Sequence, residues 1–209
     1  MNKAIFLDRD GVLNELALNP HNNEYESPHT LTELRMMPGA VGAARRLQDA
    51  GFLLFVVSNQ PSYAKGKASF ENIQLIAEHV AEALFDGGVR LSKTYYCFHH
   101  PDGTVPGFSG PCPCRKPEPY NLFLARDEFN LDLSRCWMIG DQDTDIDCGQ
   151  RAGCRTALLN NPLSAKRRKG VPPPTLCAAD LPSATAAVLK FEKTLQHKTA
   201  ENAKFAGKP

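Results

Sequence analysis

Short runs rich in apolar residues alternate along this chain with longer stretches whose apolar residues recur at helical spacing. The runs cover residues 5–7, 52–57, 94–97, 136–139 and 155–159. Such short apolar runs are typical of strands buried in a parallel sheet, and helical stretches between them fit crossover helices. The pattern therefore predicts an α/β fold with a mainly parallel central sheet.

Helix start and stop signals flank the stretches between these strands. Pro38-Gly39 opens a helix that extends to Ala50, and Ser69 fits the N-cap of a helix that stops at Gly87. Three further helices are expected: one from Pro119, one from about Asp145 to near Gly153, and one from about Pro182 to Gln196.

The length of 209 residues suits one α/β domain with an insertion or a tail. We expect a single domain over residues 1–196, with a polar loop or hairpin flap at 14–35 and an inserted loop at 97–114. Residues 197–209 are polar and carry lysines, which predicts a flexible tail.

Charge and hydropathy bear on whether the protein binds nucleic acid or a membrane. The formal net charge is +1, which favours neither nucleic acid nor a membrane surface as a partner. The longest purely apolar run, residues 52–57, is too short to cross a bilayer. The chain enters a predicted strand almost at once and leaves no room for a signal peptide, so a cytoplasmic protein is expected. We also expect a monomer.

Two carboxylates follow the first predicted strand. Asp8 and Asp10 stand two residues apart, and Gly11 lets the backbone turn away after them. Ligands of open α/β sheets bind beyond the carboxyl ends of the strands, so both side chains are expected at the rim of a site. Paired carboxylates suit Mg²⁺, or a nucleophile with a proton carrier beside it. A solvated turn after a strand is the alternative interpretation.

Ser58 and Asn59 follow the second predicted strand. A hydroxyl at the end of a buried strand can donate a hydrogen bond to a phosphate oxygen, as can the backbone N–H groups after it. Ser-Asn is also ordinary turn chemistry, and taken alone it favours that simpler interpretation.

Three of the seven cysteines lie close to histidine, in Cys97-Phe98-His99-His100 and Cys112-Pro113-Cys114. Three thiolates and one imidazole make a closed tetrahedral set for structural Zn²⁺. His99 is preferred over His100, because alternate residues of extended chain face the same side as Cys97. The Pro- and Gly-rich segment between the two groups has no core of its own, and zinc would order it. A set of free cysteines is the alternative.

Further charged groups complete the picture. Arg115 and Lys116 follow the last cysteine of this loop and are well placed to bind phosphate, although a solvated basic pair would look the same. Asp141 ends the fourth apolar run and adds a third carboxylate at the sheet edge. Asp145 lies one helical turn later, where the helix dipole favours a carboxylate in any case.

These residues together match a known pattern. Asp8/Asp10, Ser58, Lys116 and Asp141/Asp145 correspond to the four motifs of the haloacid dehalogenase superfamily of phosphotransferases, which the chain resembles. FLDRDG, SNQ, YYCFHHPDG, CPCRKPEP and IGDQDTDI extend the resemblance to its zinc-containing branch, which holds heptose-bisphosphate and histidinol-phosphate phosphatases. The resemblance covers residues 4 to about 160 and implies a Rossmann-like three-layer sandwich without a large cap domain.

The resemblance also implies roles for matching residues. Asp8 would attack phosphorus and become an aspartyl phosphate, while Asp10 would protonate the leaving sugar oxygen and then activate water. The transferring phosphoryl oxygens would be bound by Ser58 and Lys116, with Asn59 beside them. Arg115 would reach a second phosphate that is not transferred.

Two metals are implied as well. Mg²⁺ would be held by the Asp8 carboxylate, the Asp10 backbone carbonyl and Asp141. Asp145 would support these ligands without binding the ion itself. The structural Zn²⁺ would be bound by Cys97, His99, Cys112 and Cys114.

The substrate expected from the resemblance is a phosphorylated sugar. The implied reaction is removal of the 7-phosphate of D-glycero-D-manno-heptose 1,7-bisphosphate, and histidinol phosphate is the alternative substrate. Two departures bear on this choice: residues 61–66 read PSYAKG where the heptose enzymes carry a Ser-Gly-Ile-Ala-Arg-Gly type loop, and Gln142 stands where they carry lysine. A non-catalytic zinc module that uses the basic run 166–169 on nucleic acid is a third hypothesis, disfavoured by the filled catalytic positions.

Overall fold

The computed structural model describes residues 1–170 and 173–206, and the side chains of these residues except 197–206. Strands alternate with helices along most of the described chain. The strands are β1 (Ala4–Leu7), β2 (Ala17–Asn19), β3 (Glu24–Glu26), β4 (Leu53–Asn59), β5 (Leu91–Cys97), β6 (Trp137–Gly140), β7 (Arg155–Leu159) and β8 (Leu176–Ala178).

Six of these strands form one parallel sheet in the order β5-β4-β1-β6-β7-β8. Strands β2 and β3 form a separate antiparallel hairpin. The central strand β1 pairs with β4 on one side and with β6 on the other. Because parallel strands point the same way, the residues that follow β1, β4 and β6 meet at one edge of the sheet.

The helices cover both faces of the sheet. They are α1 (Ala40–Asp49), α2 (Phe70–Asp86), α3 (Tyr120–Phe129), α4 (Asp143–Arg151) and α5 (Leu181–Ala206). The Ser69 hydroxyl accepts a hydrogen bond from the Asn72 N–H at 3.1 Å, so it caps α2 as the sequence predicts. None of the helices within the described residues is long and apolar enough to cross a membrane.

The sheet separates two apolar cores. Ile5 and Leu7 of β1 pack with side chains of α1, α2 and α5, whereas Ala4 and Phe6 pack with side chains of α3 and α4. All four residues of β1 have no exposed surface. The strand is therefore apolar throughout because both of its faces are covered. This arrangement confirms the predicted three-layer α/β sandwich with a mainly parallel sheet.

The structure differs from the sequence prediction most clearly in three elements. Strand β5 begins at Leu91 rather than residue 94. Strand β8 was not predicted, because three half-exposed residues at the sheet edge carry no recognisable apolar run. Helix α5 runs on to Ala206, past the predicted end at Gln196, since no glycine or proline interrupts the chain before residue 207. Residues 207–209 of the predicted tail lie outside the described residues.

Candidate active site

The sheet edge holds a cavity of about 230 Å³ lined by residues from the ends of three central strands. Asp8 follows β1, Asn59 ends β4 and Asp141 follows β6, and all three line this cavity. A neighbouring cavity of about 340 Å³ lies under the β2–β3 hairpin, and Ser27 lines both. The titratable side chains concentrate in the smaller cavity, so it is the candidate active site.

A buried lysine joins two carboxylates on the wall of this cavity. The Lys116 ammonium lies 3.0 Å from Asp8 Oδ1 and 2.6 Å from Asp145 Oδ1. Burial alone would lower the pKa of Lys116, but the charges of Asp145 and Asp8 outweigh it and raise that pKa above its usual value. The ammonium is therefore charged at neutral pH and provides a fixed positive charge beside Asp8.

Three carboxylates crowd the same point. Carboxylate oxygens of Asp8, Asp141 and Asp145 all lie within 4.8 Å of one another. Burial and the charges of Asp8 and Asp145 raise the pKa of Asp141 to about 7. The buried Asp141 Oδ2 has no hydrogen-bond partner among the described residues. A side chain at residue 11 would close this space, because a Cβ on Gly11 would lie 2.2 Å from that oxygen.

These observations fit a divalent cation. An unpaired carboxylate oxygen and mutually repelling, oxygen-only groups are the environment that Mg²⁺ prefers. Asp145 has other partners, because its Oδ2 accepts a hydrogen bond from the Gln142 N–H at 3.0 Å and its Oδ1 faces Lys116. Asp8 and Asp141 are therefore the carboxylates best placed to face a cation directly.

The Asp10 carboxylate is enclosed by four hydrogen-bond donors. Arg9 has no exposed surface and reaches both Asp10 oxygens, at 2.9 Å and 3.1 Å from one guanidinium nitrogen. Asn14, Gln60 and Ser27 donate at 3.0, 2.7 and 2.9 Å. Burial opposes ionisation of Asp10, but the Arg9 charge and these hydrogen bonds outweigh it and lower the pKa below its ordinary value.

Ser58 and Asn59 have different environments in spite of being neighbours. The buried Ser58 hydroxyl accepts a hydrogen bond from the Gln60 amide at 3.1 Å. The Asn59 side chain is bonded to the backbone of Lys116, with its amide nitrogen donating to the carbonyl and its oxygen accepting from the N–H, both at 3.0 Å. Asn59 thus holds the loop that carries Lys116.

The predicted zinc ligands are brought together. Ligand atoms of Cys97, His99, Cys112 and Cys114 lie within 4.8 Å of one another, and tetrahedral Zn²⁺ with bonds of about 2.3 Å needs separations of about 3.8 Å. A hydrogen bond from Cys114 lowers the pKa of the Cys97 thiol to about 6 despite its burial. His100 makes a contact outside this cluster, because its Nδ1 accepts a hydrogen bond from the Asp102 N–H at 3.0 Å. The donor set fits structural zinc.

Arg115 links this cysteine cluster to the cavity. Its guanidinium donates to the His99 carbonyl at 3.1 Å, and the residue lines the cavity next to Lys116. Partial burial, followed by the charges of Lys67 and Arg115, lowers the pKa of Lys65. An anionic group would relieve their mutual repulsion.

Comparison with known proteins identifies the family. Residues 113–184 match the HAD-hydrolase-like family, where HAD stands for haloacid dehalogenase. A D-glycero-beta-D-manno-heptose-1,7-bisphosphate 7-phosphatase of Yersinia pestis is 35% identical, over 90% of this chain and 97% of its own. The protein of the same name in Escherichia coli K12 is 34% identical, over 87% of this chain and 92% of its own. The chain belongs to the heptose-bisphosphate phosphatase family.

A crystal structure of a related enzyme is also similar to this chain. The D,D-heptose 1,7-bisphosphate phosphatase of B. bronchiseptica, complexed with magnesium and phosphate, matches with a TM-score of 0.73 and 27% identity, over 90% of this chain and 98% of its own. Membership of the heptose-bisphosphate phosphatase family makes the protein a phosphoric monoester hydrolase of the haloacid dehalogenase type. This confirms the predicted enzyme class and counts against the hypothesis of a non-catalytic zinc module.

Sequence reasoning gave no role to the residues that surround Asp10. Arg9 lies inside the FLDRDG motif, but nothing in the sequence shows that its side chain turns inward. Gln60 follows the Ser58-Asn59 pair, and no sequence signal points to a contact of its amide with Asp10. Asn14 and Ser27 belong to the predicted flap, where polar residues are common. The one available signal was Arg9, since a cation between two aspartates can balance their charge.

Proposed function

We propose that this protein removes the 7-phosphate of D-glycero-D-manno-heptose 1,7-bisphosphate, in the cytoplasm and as a monomer, on the route to nucleotide-activated heptose for bacterial surface polysaccharide. The placement of the Lys116 ammonium between Asp8 and Asp145, in the wall of the cavity, carries the proposal for the chemistry. The names of the related phosphatases support the choice of substrate.

Asp8 is the proposed nucleophile. One of its oxygens attacks the phosphorus of the 7-phosphate, the bond from phosphorus to the sugar oxygen breaks, and a phosphoryl group is left on Asp8. The Arg9 N–H donates to Asp8 Oδ1 at 2.8 Å and Lys116 lies on the same oxygen, which supports a fixed orientation of this carboxylate. The other oxygen is then the one that attacks.

Asp10 is the proposed acid and base. It gives a proton to the leaving sugar oxygen, then takes one from the water that attacks the phosphorus of phospho-Asp8, which releases inorganic phosphate and restores the Asp8 carboxylate. Its lowered pKa leaves it ionised before substrate binds. A phosphate dianion placed beside it would raise that pKa and favour uptake of the proton that it donates.

The metal requirement follows from the carboxylate crowding. Mg²⁺ would be held by the Asp8 carboxylate, the Asp10 backbone carbonyl and Asp141. Asp145 would support this site indirectly, through its ion pair with Lys116. When bound, the ion supplies positive charge that offsets the repulsion between the nucleophile and the phosphate. The unpaired Asp141 Oδ2 and the raised pKa of Asp141 support this arrangement.

The two phosphates of the substrate have separate binding groups in this proposal. Ser58 and Lys116 bind the oxygens of the phosphoryl group that is transferred, and Asn59 acts by holding Lys116 in place. Arg115 binds the other phosphate, and its position in the cavity lining next to Lys116 supports this role. Cys97, His99, Cys112 and Cys114 would hold Zn²⁺, which would have the structural role of fixing the loop that ends at Arg115.

The deciding experiment measures phosphate release in the presence of Mg²⁺. Both anomers of heptose 1,7-bisphosphate are compared with histidinol phosphate, and Asp8→Asn is the control. We expect one bisphosphate anomer to be hydrolysed with the highest kcat/KM, and Asp8→Asn to abolish release. Preference for histidinol phosphate would keep the mechanism and refute the substrate, whereas full activity of Asp8→Asn would refute the mechanism.

A further inference from the structure

The basic run after β7 is fixed against the candidate active site. Arg168 donates hydrogen bonds to the backbone carbonyls of Asp141 at 2.9 Å and Leu159 at 2.7 Å. The Asp143 carboxylate accepts from the backbone N–H groups of Lys169 and Gly170, the latter at 2.8 Å. These contacts join the basic run to the start of α4, so it has a defined position at the cavity instead of forming a free surface loop.

Arg167 occupies a different environment from Arg168. It ends the short 3₁₀ helix Ala165–Arg167, and it lines the cavity together with Asp8, Lys116 and Asp141. The residue is exposed, whereas those three are buried. None of the ion pairs among the described residues includes the Arg167 guanidinium, although its positive charge partly offsets the rise in the pKa of Asp141. An unpaired guanidinium at the mouth of a phosphate-binding cavity has the geometry to bind an anion bidentately.

We propose that Arg167 is a substrate-binding residue whose guanidinium binds the phosphate group that is not transferred, together with Arg115. This inference rests on the proposed function, since it requires a substrate with two phosphates. The transferred phosphoryl group lies deep in the cavity beside buried Asp8 and Lys116, so an exposed residue at the mouth meets a more distant part of the substrate. Arg115 and Arg167 come from separate chain segments, and together they can hold that second phosphate.

The charges of the cavity support the same conclusion. The cavity is lined by four carboxylates and three cations. The carboxylates are Asp8, Asp10, Asp141 and Asp145, and the cations are Arg115, Lys116 and Arg167. Lys116 already faces two carboxylates, and Arg115 already donates to the His99 carbonyl. Arg167 is therefore the cation of this wall with most hydrogen-bonding capacity left for a ligand.

The test compares Arg167→Ala and Arg167→Lys with a matched control, Lys166→Ala. Lys166 lies in the same 3₁₀ helix and is exposed, but it does not line the cavity. Lys166→Ala removes one positive charge, as Arg167→Ala does, so the two variants have the same net charge. Two substrates are used with Mg²⁺: heptose 1,7-bisphosphate and p-nitrophenyl phosphate, which has a single phosphate. We expect Arg167→Ala to raise KM for the bisphosphate about tenfold or more with little change in kcat, and to leave the monoester unaffected.

Direct binding gives an independent measurement. Calorimetric titration of Asp8→Asn with the bisphosphate should show a Kd about tenfold lower than that of the Asp8→Asn, Arg167→Ala double variant. Arg167→Lys should recover part of the loss, because lysine keeps the charge without the planar fork. Equal KM values for Arg167→Ala and wild type would overturn this inference alone, as would an equal loss on both substrates. Failure of the wild type to hydrolyse the bisphosphate, with normal turnover of the monoester, would overturn the proposed function as well.

Discussion

The side-chain amide of Asn59 is paired with both backbone polar groups of Lys116, at 3.0 Å for each hydrogen bond. Asn59 ends β4, whereas Lys116 lies in the loop after the cysteine cluster. The pairing therefore fastens that loop to the sheet at the point where its lysine enters the cavity. Because both ends of the amide are used, we expect Asn59 to position Lys116 rather than bind phosphate itself.

Replacing Asn59 tests this positional role. Asn59→Ala removes two hydrogen bonds of about 1 kcal/mol each, so we expect kcat/KM to fall by roughly 30-fold as Lys116 loses its fixed position. Steady-state kinetics measure the change, and Asn22→Ala, at an exposed position of the hairpin turn, should behave as wild type. Unchanged kinetics in Asn59→Ala would show that the loop holds its position without this pairing.

Lys116 should also support the folded state. Lys116→Met leaves the Asp145 and Asp8 carboxylates without their buried counter-charge, and loss of one partner of a buried pair costs about 3–5 kcal/mol. Urea unfolding without added Mg²⁺ measures the free energy. Adding Asp145→Asn to the same chain should restore part of it, because one of the unpaired charges is then removed.

A surface pair provides the comparison for Lys116. Lys93 lies 2.6 Å from Glu128, and both side chains are about half exposed. Lys93→Met should therefore cost less than about 1 kcal/mol. Equal costs for the two lysines would contradict the assignment of Lys116 to a buried electrostatic role.

Arg9 should control the geometry of Asp10. Arg9→Lys keeps the positive charge but loses the planar fork that reaches both Asp10 oxygens. We expect kcat to fall by about 100-fold, because a small displacement of a catalytic group has an effect of this size. Circular dichroism checks that the variant is folded, and a wild-type kcat would mean that charge alone holds Asp10.

The cysteine and histidine cluster should contain metal in the purified protein. Elemental analysis is expected to find about one zinc per chain, and Cys112→Ser should lose it and unfold at a lower temperature. Cys177→Ser is the matched control, since Cys177 is exposed and lies outside the cluster. Zinc content that is the same in both variants would rule out this site.

The sequence predicted most of the fold because its apolar runs are distinct. Phe6, Phe55 and Met138 lie in buried strands, and the polar residues after those strands had to meet at one sheet edge. Strand β8 was missed because an edge strand of three residues buries too little to leave a pattern. The end of α5 was misplaced because a polar helix and a polar tail have similar compositions.

The parts of the candidate site that escaped prediction depend on long-range geometry. Asp8 and Asp141 could be placed because each directly follows a strand. The pairing of Asn59 with Lys116 depends on the path of a loop 57 residues away in sequence. The position of Arg167 depends on contacts that Arg168 makes with Asp141 and Leu159. No local pattern of residues encodes such contacts.

The hairpin of β2 and β3 offers a site for engineering. Its turn, residues 20–23, is exposed, and the hairpin does not belong to the six-stranded sheet. Added chain at this turn would leave the sheet hydrogen bonds intact, as insertions at exposed turns usually do. A small module grafted between Asn22 and Asn23 would extend from a hairpin that lines the cavity next to the candidate active site. Selectivity could then be redesigned by changing the graft alone, while the reaction chemistry stays in the original scaffold.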